Sequence, residues 1–133
     1  MRIVLETGVL VSGVLSPHGA PAAILRALLT GRARLCYDER ILSDYRKVLT
    51  GGACAFDEDD VGELLGFLEA SGERTLSEPM KLDLRDPEQA PFAEVARAGG
   101  ADCLVAERVE SFPAGVGSGC SVVTAEALAG RLI

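Results

Sequence analysis

Short apolar runs alternate with longer stretches of helical period along this chain. Arg2–Leu5 is aliphatic and β-branched and predicts a strand, which Glu6-Thr7-Gly8 ends. Val9–Leu15 predicts a short helix, and Ser16–Gly19 a turn. Pro21 suits a helix start, with Ile24, Leu25, Leu28 and Leu29 following at helical spacing until Gly31. Ala33–Tyr37 predicts a second strand. Asp38 then caps a helix whose apolar face is Ile41, Leu42, Tyr45, Val48 and Leu49. Asp57–Ser71 is the clearest helix, with acids crowding its first turn and Val61, Leu64, Leu65 and Leu68 as its stripe.

The second half continues the alternation. Arg74–Leu76 is a short extended segment and 77–86 a loop. A helix starts between Asp86 and Pro91 and runs to Ala98, turning Phe92, Val95 and Ala96 inward. Cys103–Ala106 predicts a strand, and the glycines at 115, 117 and 119 a loop. Ser121–Val123 is a last strand, and Thr124–Leu132 a helix capped by Thr124. Strands alternating with helices predict an α/β fold: a single three-layer α/β/α domain over 1–133, Rossmann-like, with a mainly parallel central sheet. In such sheets, sites lie beyond the carboxyl ends of the strands.

Composition narrows the picture. The chain has 133 residues, 48% hydrophobic, which is ample for a buried core and excludes a disordered tail. Its formal net charge of -7 argues against a surface that neutralises phosphates everywhere. The charge is uneven: residues 1–56 carry seven bases and four acids, and residues 57–110 five bases and fifteen acids. A short basic rim beside an acidic centre is one reading; solvated helix faces are the other. The four cysteines form no CxxC pair, and the single His18 is remote from them, so a zinc site is unsupported. Cys36 and Cys103 read as core residues, with all four expected as free thiols. The apolar stretch from Gly8 to Leu29 is broken by Ser16-Pro17-His18-Gly19 and Pro21, too short in each piece to span a membrane, and a cytoplasmic location is expected.

Three places could do chemistry. Glu6 stands at the carboxyl end of the first strand, as a cleft acid or as a cap for the next helix. Asp44 lies at the edge of its helix's apolar face, where a carboxylate needs a partner. That partner is either a metal ion or Arg40, four residues earlier. In Arg85-Asp86-Pro87-Glu88-Gln89, Asp86 and Gln89 have the spacing of a capping box, while Asp86 or Glu88 could also face the cleft. Carboxylates from separate elements can hold Mg²⁺ or Mn²⁺ and so orient a water for attack on phosphate.

Laid end to end, the chain resembles the PIN-domain family, and within it the branch of toxin components of bacterial toxin–antitoxin systems. The resemblance is carried by Met-Arg-Ile-Val-Leu-Glu-Thr-Gly-Val-Leu-Val-Ser-Gly at 1–13, Ser-Pro-His-Gly at 16–19 and Ile-Leu-Ser-Asp-Tyr-Arg-Lys-Val-Leu at 41–49. Arg-Asp-Pro-Glu-Gln-Ala-Pro-Phe at 85–92 and Gly-Gly-Ala-Asp-Cys-Leu-Val at 99–105 complete it. It implies Mg²⁺- or Mn²⁺-dependent cleavage of RNA, an antitoxin protein as partner, and homodimers.

The same resemblance marks where this chain departs. The family opens with Asp-Thr-Asn after the first strand; here it is Glu6-Thr7-Gly8. The second acid, usually Glu, is Asp44. The third, three residues before the Phe, falls on the neutral Gln89. The family's Thr-Gly-Asp-x-Asp segment becomes Ala106-Glu107-Arg108-Val109-Glu110, which reverses the sign of one acid and keeps the other. The expected catalytic set is Glu6, Asp44, Glu88 and Glu110, with Glu6, Asp44 and Glu110 as metal ligands and Arg108 as a phosphate contact. Glu107 is a nearby substitute acid. These changes predict weak or lost activity. The rival is a non-enzymatic PIN-like scaffold that binds RNA or a protein, with Arg108 and the basic 32–47 segment holding phosphate. A ligand-binding or redox domain is disfavoured, because the glycines at 115–119 precede a strand and not a helix.

Overall fold

The computed structural model describes residues 1–80, 84, 86–113, 116 and 119–132. Five parallel strands form one sheet in the order β3-β2-β1-β4-β5. They are β1 (Arg2–Leu5), β2 (Arg34–Tyr37), β3 (Glu73–Arg74), β4 (Cys103–Val105) and β5 (Ser121–Val123). Six helices connect and cover them: α1 (Thr7–Leu15), α2 (Ala20–Leu29), α3 (Glu39–Thr50), α4 (Glu58–Ser71), α5 (Ala90–Ala98) and α6 (Ala125–Arg131). This is the α/β architecture that the alternation of patterns predicts. Register follows from the fully apolar centre: Ile3 pairs with Leu35 and with Cys103, and Leu104 with Val122. Burial on both faces explains why these strands read as continuous apolar runs.

The caps fall where the sequence places them. Asp38 accepts from the Ile41 N–H at 3.0 Å, Asp57 from Asp59 and Asp60, and Thr124 from Ala127 at 3.2 Å. Two expectations are corrected. No loop separates Glu6 from the first helix, because α1 starts at Thr7. The capping box at Asp86 is half made. Asp86 accepts from Glu88 N–H, but the buried Gln89 Oε1 has no partner, and a 3-10 turn (Pro87–Gln89) precedes α5. Of the expected glycine loop, Gly115 and Gly117 lie outside the described residues, and Gly119 has φ +80.

The core joins strand residues Ile3, Val4, Leu5, Leu35 and Leu104 to Leu10, Ile24, Tyr45, Leu68 and Leu128 from the helices. Cys36 and Cys103 are buried in it, and all four cysteines are free thiols. Gly13 allows α1 and α2 to meet: a Cβ there would lie 2.8 Å from the Pro21 carbonyl oxygen. Among the described residues no single helix is long and apolar enough to cross a membrane; α1 and α2 together are, but they are bent by 95°.

The sheet order reverses direction between β1 and β4. That switch point is where an open parallel sheet forms a crevice at its carboxyl end. Glu6 leaves β1 there, and Glu107 follows β4 beside it.

Candidate metal centre

Glu6 is placed by two backbone constraints. Its N–H donates to Val105 O on β4 at 2.9 Å, and its carbonyl accepts from Val9 and Leu10, the first turn of α1. The side chain does not cap α1, as one reading of the sequence had it. It turns across the switch point instead, where Oε1 accepts from the Glu107 N–H at 2.7 Å. Glu6 is 6% exposed. Burial pushes its carboxyl above the usual range, and the Glu107 and Asp86 charges add to the rise. The Glu107 N–H and the Gln89 amide pull the other way.

Asp44 is reached from the same turn. The Thr7 hydroxyl donates to Asp44 Oδ2 at 2.5 Å. Arg40 is not its partner, which corrects the ion pair weighed from the sequence. The Arg40 guanidinium is held at 2.7 Å by both Asp38 and Glu94. Asp44 and Glu88 line one open cavity of about 200 Å³ with Arg40, Ile41, Pro91 and Phe92.

Glu107 comes closer to the centre than spacing alone suggested. A Cβ on Gly8 would coincide with the Glu107 carboxylate, so that carboxylate lies directly over the Gly8 backbone at the start of α1. The N-terminus of a helix favours an anion there. The bare Gly8 and the long Glu107 are therefore sterically matched: a side chain at position 8 would displace Glu107.

The remaining candidates stand apart. Glu88 is exposed on its 3-10 turn. Glu110 is exposed on another 3-10 turn (Val109–Ser111), for which Arg108 is the N-cap residue. Arg108 is exposed and makes no ion pair among the described residues. Among the described residues no three Asp, Glu, His or Cys side chains are grouped to hold a metal ion.

The PIN domain family model matches residues 2–107. The chain belongs to the PIN domain family. No curated protein and no solved structure matches it. PIN domains are a nuclease-type family and generally use divalent metal ions. Among the described residues of this PIN domain no cluster of three candidate ligands is assembled for such an ion. A near-octahedral ion needs several oxygens free to converge. Here one Glu6 oxygen is bound by a backbone N–H, one Asp44 oxygen by a hydroxyl, and the nearest side chain from the α5 end is a neutral amide. The unpartnered Gln89 Oε1 fits this picture.

Two contributors escaped the sequence reading. Thr7 could have been found, because a hydroxyl next to the strand-end acid is within reach of the same cleft. Glu94 is 6% exposed on α5 and accepts from Arg40 and from the Met80 N–H at 2.9 Å. Its position between inward-facing Phe92 and Val95 was the available signal.

Proposed function

We propose that this PIN-domain protein belongs to the toxin-component branch and has lost metal-dependent RNA cleavage, so that it binds without cutting. The observation that carries the reading is the pairing across the switch point: Glu6 accepts from Glu107 N–H while the Glu107 carboxylate fills the space over Gly8. The backbone of one acid thus holds one oxygen of the other, and the Glu107 carboxylate takes up room beside Glu6. Exposed Asp86, Glu88, Glu107 and Glu110 then leave the carboxyl end of the sheet acidic, which repels an RNA phosphate instead of drawing it in.

One observation favours the cutting alternative. Asp44 and Glu88 share a cavity, and two carboxylates at one cavity are a start on a hard-cation site. A labelled-RNA cleavage assay with Mn²⁺ separates the readings. The protein is compared with the variant Glu6→Asp/Gly8→Asn/Asp44→Glu/Gln89→Asp/Ala106→Thr/Glu107→Gly/Arg108→Asp/Glu110→Asp, which restores the family pattern at these positions and removes the overlap at position 8. The expected result is cleavage by the restored variant alone. Mn²⁺-dependent cleavage by the unaltered protein that vanishes in Glu6→Gln would overturn the proposal.

A further inference from the structure

Most of the large apolar side chains that stand exposed are locked in regular structure. Leu15, Leu29, Val48 and Phe67 lie in helices, and Val109 in a 3-10 turn. Leu76 differs. It is 92% exposed and follows β3 in a stretch, 75–80, that forms no helix, strand, turn or bend. Apart from Met1, it is the one exposed large apolar side chain among the described residues that open backbone carries. Backbone pairing stops at Thr75, whose N–H donates to Tyr37 O at 2.8 Å. It resumes at Met80, whose N–H donates to Glu94 Oε2 at 2.9 Å.

Between these two points the backbone groups of Leu76, Ser77, Glu78 and Pro79 make no hydrogen bond among the described residues, and Pro79 has no N–H to give. Ser77 is tethered by its side chain, whose Oγ accepts from Arg40 Nη2 at 2.9 Å. β3 is the outermost strand, so its edge facing away from β2 meets no other strand among the described residues. An endopeptidase takes its substrate as open chain, and nicks in folded proteins concentrate where the backbone is exposed and unpaired. A bond inside a helix has to melt before it can be cut. The bond after Leu76 does not, and its apolar side chain already stands in solvent.

We propose that the peptide bond between Leu76 and Ser77 is a proteolytic processing site, cut by an endopeptidase whose specificity pocket takes a large apolar residue. Water adds across the bond, which leaves a carboxylate on Leu76 and an ammonium group on Ser77. The cut leaves the domain assembled. Residues 1–76 carry β1, β2 and β3, and residues 77–133 carry β4 and β5. The two pieces meet at the centre of the sheet, where Ile3, Val4 and Leu5 pair with Cys103, Leu104 and Val105. Arg40 and Glu94 come from opposite pieces and hold each other at 2.7 Å. The site requires neither a metal nor the carboxyl-end acids, and so stands independently of the non-cutting reading.

The test is digestion of the folded full chain with dilute chymotrypsin, which cuts after large apolar and aromatic residues, read by mass spectrometry and size-exclusion chromatography. The first cut should fall after Leu76 and give residues 1–76 and 77–133, which elute together without denaturant and apart in urea. Leu76→Gln should slow that cut about tenfold or more by removing the side chain that fills the enzyme's pocket. It should leave the urea midpoint unchanged, because so exposed a side chain adds little to stability. Phe67→Gln, at an exposed position inside α4, should leave the rate of the first cut unchanged. A first cut after any other residue, Met80 and Phe67 included, overturns the proposal. So does a rate that climbs in step with the unfolded fraction in mild urea, because cutting then requires global unfolding. Fragments that elute apart without denaturant overturn it too.

Discussion

The Thr7 hydroxyl donates to Asp44 Oδ2 at 2.5 Å and so ties the first turn of α1 to α3 beside the switch point. Thr7 is 7% exposed, so the bond is sheltered from water. Thr7→Val keeps the shape and removes the donor. It should cost about 1.5–3 kcal/mol, the range for hydrogen bonds to a charged group, while Thr7→Ser should retain most of the stability. Urea unfolding of the two variants reads the difference.

Glu6 supplies a pH-dependence. Its folded carboxyl is raised above the ordinary value by burial. A raised acid contributes its stability below the unfolded value, about 4.3, and that contribution is lost as pH rises through the folded value. Glu6→Gln keeps an oxygen to accept from Glu107 N–H and removes the charge. The variant should therefore be more stable than the unaltered protein at pH 7–8, with the gap closing as the pH is lowered to about 4. Thermal melts across that range measure it. A variant less stable at pH 8 than at pH 4, relative to the unaltered protein, would sink the argument.

Much of this arrangement can be read from the residues. The strand-end position of Glu6, the caps at Asp38, Asp57 and Thr124, and the alternation that gives a parallel sheet all follow from local pattern, and the structure carries them. The pairing partners do not. Arg40 stands four residues from Asp44, the spacing of a helical ion pair, yet it turns to Glu94, 54 positions away. Tertiary contact decided between two chemically equivalent acids, and spacing cannot rank them. Glu107 was legible as a nearby acid, but its place over Gly8 depends on β1 and β4 being neighbours. The run of bases from Arg32 to Lys47 illustrates the same limit. Arg32 and Arg34 sit where β2 begins, and Arg40 lies past its other end, so the sheet separates charges that are close in sequence.

The Arg40–Glu94 pair fixes the segment after β3. Glu94 is buried, and its two oxygens accept from Arg40 and from Met80 N–H. Glu94→Ala leaves the Met80 N–H and Arg40 Nη1 without an acceptor, while Arg40 keeps Asp38 and Ser77, and should cost about 2–3 kcal/mol. A fully buried pair would cost roughly 3–5, and Arg40 is half exposed, which screens it. Hydrogen exchange should show the Met80 amide losing protection in this variant before the β1 amides do.

Thiol reactivity checks the burial directly. Burial raises the Cys36 and Cys103 thiols, and Cys120 is pushed up to about 11. The thiolate is the reacting form, so all three should alkylate slowly at pH 8 in the folded protein. Mass spectrometry after brief iodoacetamide treatment should find no more than one of the four cysteines modified, and all four after unfolding.

Glu6 and Asp44 each have one oxygen held from within the chain, by Glu107 N–H and the Thr7 hydroxyl, and in the proposed reading no divalent ion binds between them. Calorimetric titration of the unaltered protein with Mn²⁺ at neutral pH tests it most directly. No saturable heat is expected up to millimolar Mn²⁺. A stoichiometric site of micromolar affinity that disappears in Glu6→Gln and in Asp44→Asn would contradict it.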